Sequence, residues 1–201
     1  MREFARADVD RWIAWPRHRD PLWDGYNAPN LSPRQRDVYY QQHRTAPNSR
    51  QYSVDDLGGE YVGRISIRDI DWHAGASVLG ISFHPERLDQ GLGTDALRTF
   101  LRYYFTGLQM KVLFLDVAAF NHRAFRVYQK CGFRRSGERW GEPQTDSAGV
   151  FRNPEYQPIR HLFRWDYGLV RPLIIDMVIR REEWERLQRE GSTLMPARAA
   201  R

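Results

Sequence analysis

The chain has 201 residues, 41% hydrophobic and 28% charged, a composition ordinary for a soluble globular protein and a length sufficient for one domain with a substantial core. Its formal charge is 31 − 25 = +6, and the arginines are scattered rather than gathered into a stripe, so charge alone carries no nucleic-acid reading. Cys131 is the single cysteine, which excludes an intramolecular disulfide and a cysteine-based metal site.

The opening residues, Met1-Arg2-Glu3-Phe4-Ala5-Arg6, have no apolar signal core, and no run approaches membrane-spanning length. The expected compartment is the cytoplasm. Residues 8–15 read as a short helix with Asp8 as its cap and Pro16 as its stop. Residues 21–29 read as loop. Ser32-Pro33 is a helix start, a capping hydroxyl followed by proline in the first turn, and that helix is expected to run to about His43. Residues 51–54 and 61–70 read as a hairpin, joined by the turn Asp55-Asp56-Leu57-Gly58-Gly59. In its second strand, Tyr61, Ile65 and Ile67 are expected on one face and Val62, Arg64 and Ser66 on the other.

A strand over 77–83 leads into His84-Pro85-Glu86-Arg87-Leu88-Asp89-Gln90-Gly91-Leu92-Gly93-Thr94. The helical period of Ala96, Leu97, Phe100, Leu101 and Tyr104 follows and ends near Gly107. A strand, a Gly-x-Gly turn and a helix start present backbone N–H groups to one point, an arrangement suited to a phosphate. Residues 112–118 are apolar apart from Asp116, as in a central strand. Asn121 caps a further helix that stops at Cys131-Gly132. Residues 141–171 are polar and aromatic, contain Pro143, Pro154 and Pro158, and show no clean period. Residues 173–179 read as the last strand and 181–189 as a charged helix stopped by Gly191, with a disordered tail over 192–201. The order implies one mixed α/β domain over 1–191, with 141–171 resembling an insertion.

Two segments occur together in this order: the glycine turn, and Asn121-His122-Arg123-Ala124-Phe125-Arg126-Val127-Tyr128-Gln129-Lys130-Cys131-Gly132-Phe133 after an apolar strand. Together they resemble the GNAT superfamily of acyl-CoA-dependent N-acyltransferases, over about residues 51–135 and again at the last strand. The resemblance implies an α/β (α+β) fold. Its sheet is mixed, mostly antiparallel and twisted, splays strands four and five, and is flanked by helices. It also implies acetyl-CoA as co-substrate, with no metal. The strand residues Ile81, Ser82 and Phe83 would meet the pantetheine arm. A backbone N–H there, assigned to Phe83, would polarise the thioester. Leu88, Asp89, Gln90, Gly91, Leu92, Gly93 and Thr94 would hold the pyrophosphate. Asn121 and Ala124 would contact the pantetheine arm, and Asn121 also serves as a helix cap. Tyr128, on the same helix face, would be the general acid for the departing thiolate.

Two positions depart from the family pattern. Leu88 stands where a basic or amide side chain is usual, with Arg87 one place earlier, and Val78 stands where many relatives carry a glutamate base. Glu60, Asp69, Asp116, His84 or a relay of waters are the remaining candidates for a base. The expected reaction is direct transfer of acetyl to a primary amine in a ternary complex. The element order and the closing Glu-Glu-Trp helix most resemble the branch that acetylates protein N-termini, ribosomal proteins included, with small-molecule amines left open. The alternative is a catalytically silent acyl-CoA sensor of the same fold. The expected partners are acetyl-CoA and an amine, with no nucleic acid and no membrane, and a homodimer is possible. Trp140, Tyr156, His161, Phe163 and Trp165 either line an acceptor surface or fold the 141–171 segment down.

Overall fold

A computed structural model describes residues 1–143 and 149–193. Helix α1 (Arg6–Ile13) begins earlier than its apolar period predicts, and its cap is Ala5 rather than Asp8. Asp8 stands in the first turn, and its carboxylate turns back to accept the Ala5 N–H at 2.8 Å. The same carboxylate, 1% exposed, accepts from Arg2 at 2.6 and 2.8 Å and from the Ser53 hydroxyl at 2.7 Å. It thereby joins β1 (Arg2–Glu3), α1 and β2 (Arg50–Asp55). Burial pushes the Asp8 pKa up, but the Arg2 guanidinium, the Ala5 N–H and the Ser53 hydroxyl outweigh burial and hold it below its ordinary value. A depressed carboxylate pKa adds stability above the unfolded value, and that stability is lost as pH falls through the folded one. Arg2 is itself partly exposed, so removing the charge costs less than at a fully buried pair. Asp8→Asn is expected to lose about 2 kcal/mol at pH 7 and to melt about 4–8 °C lower. Melts taken from pH 3 to pH 8 test this: the gap to wild type should shrink below about pH 4.

Ser32 caps α2 (Pro33–Thr45) as its Ser-Pro start predicts, and the Gln35 side chain returns to the Ser32 N–H at 2.8 Å. Helices α1 and α2 gather Trp12, Trp15, Tyr39 and Tyr40 around Phe4, Val9 and Tyr61. Arg64, from β3 (Tyr61–Asp71), lies 4.1 Å from the Trp12 ring centre, so this pair of helices covers one face of β2 and β3. Ile65 and Ile67 point to the other face, as predicted. Tyr61 and Val62 are exchanged relative to prediction: Tyr61 packs with α1 and Val62 with the main core. A register shift at Val54/Asp55 inserts a residue there and reverses the alternation.

Strand β4 (Ala76–Phe83) leads through the glycine turn into α3 (Leu92–Arg102), whose last residues continue as a π-turn, Tyr103–Gly107. Strand β5 (Val112–Ala118) leads into α4 (His122–Lys130). Leu97, Phe100 and Leu101 of α3 and Tyr128 of α4 pack on Leu79, Leu113, Leu115 and Val117 of the sheet. The apolar periods seen in the sequence therefore close one core on the face opposite α1 and α2.

Strands β4 and β5 run parallel and pair only at Ala76↔Val112, Ser77↔Leu113 and Val78↔Phe114. Beyond Val78 they separate, because β4 continues along β3 while β5 continues along β8 (Leu169–Arg180). This is the splay that the family resemblance implies. At the paired end, the Tyr104 hydroxyl donates to the Val112 carbonyl at 2.7 Å and lies 2.9 Å from Ser77 Oγ.

Several of the remaining elements were not legible in the sequence. Strand β6 (Arg134–Trp140) pairs with β8 at the sheet edge and is almost wholly exposed, so it has no apolar alternation to read. Residues 141–171 are not a structureless loop. They include a helical turn α5 (Gly149–Arg152), a 3-10 helix (Pro154–Leu162) and β7 (Phe163–Asp166), which pairs with the first residues of β8. The sheet order is β1-β2-β3-β4-β5-β8-β6, with β7 on β8. Residues 21–29, read as loop, contain a 3-10 helix (Pro21–Tyr26) capped by Asp20. Helix α6 (Arg181–Thr193) runs past Gly191, and positions 194–201 of the expected tail lie outside the described residues. No helix among the described residues is long and apolar enough to cross a membrane.

Candidate active site

The splay opens a cleft of about 580 Å³. Its walls are β4 from Leu79 to Phe83, the glycine turn, β5 from Asp116 to Ala118, and one face of α4. A second cavity, about 640 Å³, lies between α2, the π-turn and the β1–β2 edge. None of the motif residues lines it.

Backbone alternation decides which β4 amides face the gap. The His84 N–H donates to the Val62 carbonyl at 2.9 Å, so His84 and Val62 form a hydrogen-bonded antiparallel pair. Two residues back, Ser82 is opposite Arg64 and is bonded to β3 in the same sense. Ile81 and Phe83 alternate with it and present their N–H and C=O groups to the gap. Ser82 therefore contributes its side chain to the cleft wall, while its N–H is spent on β3. Phe83 keeps a backbone N–H that faces the gap instead of β3.

The glycine turn is built for close approach. Gly91 caps α3 in the left-handed conformation, φ +81°, which favours glycine. The N–H groups of Gly91, Leu92 and Gly93 make no backbone hydrogen bond, whereas the Thr94 and Asp95 N–H groups both donate to the Gly91 carbonyl at 3.1 Å. A Cβ on Gly93 would touch only the Phe83 ring, at 3.6 Å, so that position is open toward the cleft. These orphaned donors at a helix N-terminus fit an anionic diphosphate. Gln90 is not on the cleft wall; its side chain reaches the Glu86 carbonyl at 3.4 Å. Leu88 and Asp89 are on the wall, and Asp89 pairs with Arg123 at 3.7 Å. Arg87 does not simply replace the basic residue missing at Leu88, because its guanidinium is held by Asp56 at 2.6 Å. The uncommitted cations near the turn lie on α4 instead: among the described residues, neither Arg126 nor Lys130 makes an ion pair, and both line the cleft.

Asn121 is 5% exposed and caps α4 by accepting the Ala124 N–H at 3.1 Å. Ala124 and Tyr128 follow on the cleft wall, at helical spacing on one face. Burial raises the Tyr128 pKa, and the nearby phenol of Tyr26 and carboxylate of Asp116 raise it further, so the phenol holds its proton. Tyr26 was missed in the sequence because it lies in the 3-10 segment read as loop. Its hydroxyl interacts with the Asn121 side chain, and burial is the main cause of its own raised pKa. Trp23, His18 and Arg68 complete the wall and were likewise not singled out.

Of the four side chains weighed as a base, only Asp116 lies on the cleft. Glu60 is exposed at the hairpin turn, and Asp69 sits exposed at a positive φ of 52° beside Arg68. His84 accepts the Glu86 N–H through Nδ1 and packs edge-on against Trp15. Cys131 is buried, its sulfur 3.8 Å from the Thr94 carbonyl, and burial pushes its pKa up to about 11. It is not a nucleophile poised in the cleft. The aromatic residues of 141–171 fold that segment down. Phe163 stacks on Phe120 with ring centres 5.4 Å apart, and Tyr156 bonds to Asp20 beside the Leu22 cluster. None of Trp140, Tyr156, His161, Phe163 and Trp165 lines the cleft.

Comparison with known proteins agrees with this geometry. The family model described as acetyltransferase (GNAT) domain matches residues 1–134. The spermidine N(1)-acetyltransferase of Vibrio cholerae serotype O1 is 25% identical over 124 residues, covering 62% of this chain and 68% of that protein. The spermidine N(1)-acetyltransferase of Escherichia coli K12 is 30% identical over 99 residues, 49% of this chain and 53% of that protein. Among solved structures, the Vibrio cholerae spermidine N-acetyltransferase in complex with CoA and spermine superposes with a TM-score of 0.70 at 20% identity, over 92% of this chain and 96% of that one. These relatives are named for a small polyamine, whereas the element order had pointed to enzymes of protein N-termini.

Proposed function

The chain belongs to the GNAT acetyltransferase family, and from that footing we propose that it moves an acetyl group from acetyl-CoA to a primary amine of a small molecule. The observation that carries this is the splay itself. One continuous cleft joins orphaned amides at the α3 N-terminus, free strand amides at Ile81 and Phe83, and a protonated phenol at Tyr128. The Gly91, Leu92 and Gly93 N–H groups would take the diphosphate. Ile81 and Phe83 would pair with the amides of the pantetheine arm, and Asn121 and Ala124 would border it. The neutral acceptor nitrogen would attack the thioester carbon and shed its proton to water while the Phe83 N–H stabilises the developing oxyanion. Tyr128 would give its proton to the departing sulfur. No cysteine lines the cleft, which favours direct transfer over an acyl-enzyme. A small amine is preferred to a protein N-terminus because the relatives are named for one.

The test is release of free thiol from acetyl-CoA with a panel of primary amines and, separately, peptides with free N-termini. Amine-dependent release is expected with small amines. Tight CoA binding without turnover on any amine would instead support the silent acyl-CoA sensor.

A further inference from the structure

Helices α1 and α2 cover only the β2–β3 part of their face of the sheet, leaving β4, β5 and β8 open. On that open part, Arg68, Val78 and Phe114 form one row, fixed by the pairings Arg68↔Val78 and Val78↔Phe114. Phe114 is 41% exposed, unusual for an aromatic residue on a central strand. Asp116 follows two residues along on the same face, where the strands part, and Asp176 is its cross-strand partner on β8. Arg139 of β6 reaches both carboxylates, 2.6 Å from Asp116 Oδ2 and 3.3 Å from Asp176 Oδ1. Arg68 stands 3.8 Å from Asp116 Oδ1 and 3.7 Å from Asp69.

At the closed end of the cleft Arg68 and Asp116 are on the wall, and Arg139 and Asp176 adjoin Asp116 behind it. Their commitments differ. Arg139 is taken up by two carboxylates. Arg68 has only contacts longer than a hydrogen bond, and Asp116 Oδ1 accepts no hydrogen bond. A carboxylate oxygen that accepts no hydrogen bond among the described residues and a loosely held guanidinium therefore sit side by side, at the end of the cleft away from the Gly91 turn. Resting on the acetyltransferase reading, we propose that this end seats an acceptor that carries a carboxylate beside its amine, as an amino acid does. The ammonium would approach Asp116 Oδ1, the acid group Arg68, and the carbon chain the Phe114 ring. A polyamine brings cations alone, and it would meet two guanidiniums along with the two aspartates.

The experiment compares matched acceptors that differ only in the carboxylate: lysine with 1,5-diaminopentane, ornithine with 1,4-diaminobutane, phenylalanine with phenethylamine. With saturating acetyl-CoA, kcat/KM for thiol release is expected to be at least about 10-fold higher for the acid-bearing member. Arg68→Gln should bring the ratio to about one by raising KM for that member, with a smaller change in kcat. A wild-type ratio of one or below, or a ratio that Arg68→Gln leaves intact, overturns the inference and leaves the transferase reading standing. Absence of turnover on both members of every pair, while CoA still binds, removes the transferase reading and this inference with it.

Discussion

Tyr128→Phe is expected to lower kcat by about 100-fold, or about 2.7 kcal/mol of barrier, while CoA affinity stays within about three-fold of wild type. The phenol is buried in the cleft wall at the splay, between the Asn121 cap and the glycine turn. Burial, Tyr26 and Asp116 all raise its pKa. The sign matters: a raised phenol pKa keeps the proton in place over the whole range in which an amine acceptor becomes neutral. Wild-type kcat should therefore rise with pH as the acceptor deprotonates, without an alkaline fall near the ordinary tyrosine pKa of about 10. The phenylalanine variant should keep that rise at a uniformly lower level. Steady-state rates from pH 6 to pH 10, with CoA affinity by calorimetry, check both parts. A variant with wild-type kcat would strip Tyr128 of the acid role.

Gly93→Val should weaken CoA binding by at least about 100-fold with little loss of fold stability. Within the protein a Cβ at this position meets only the Phe83 ring at an ordinary 3.6 Å, and Gly93 does not adopt a positive φ. The branched side chain would instead stand over the orphaned N–H groups of Gly91 and Leu92 and hold a phosphate away from them. Calorimetric titration with CoA and a thermal melt separate the two effects. Near-normal affinity would mean that the turn is not the phosphate site.

The two halves of the cleft were legible in the sequence because each carries a local signal. Gly91 and Gly93 mark a turn that opens a helix, and the spacing of Asn121, Ala124 and Tyr128 puts them on one helix face. Tyr26, Arg68, Arg139 and Asp176 were not legible. They reach the cleft or its rim through long-range pairing across five strands and through an irregular segment, and neither leaves a period in the chain. Strand β6 escaped for a related reason: with both faces exposed, nothing selects apolar residues at alternate positions. The misplaced cap at Asp8 shows the limit of local rules. The residue type was right for a helix start, but its carboxylate is recruited from inside the first turn by Arg2 and Ser53.

The phenol of Tyr104 ties Ser77 to Val112 where β4 and β5 still touch. Beyond the last shared rung, Val78↔Phe114, β4 follows β3 and β5 follows β8, so one rung after another of the sheet is left without its neighbour. An occupant that offers amide-like donors and acceptors at strand spacing would take the place of the missing strand.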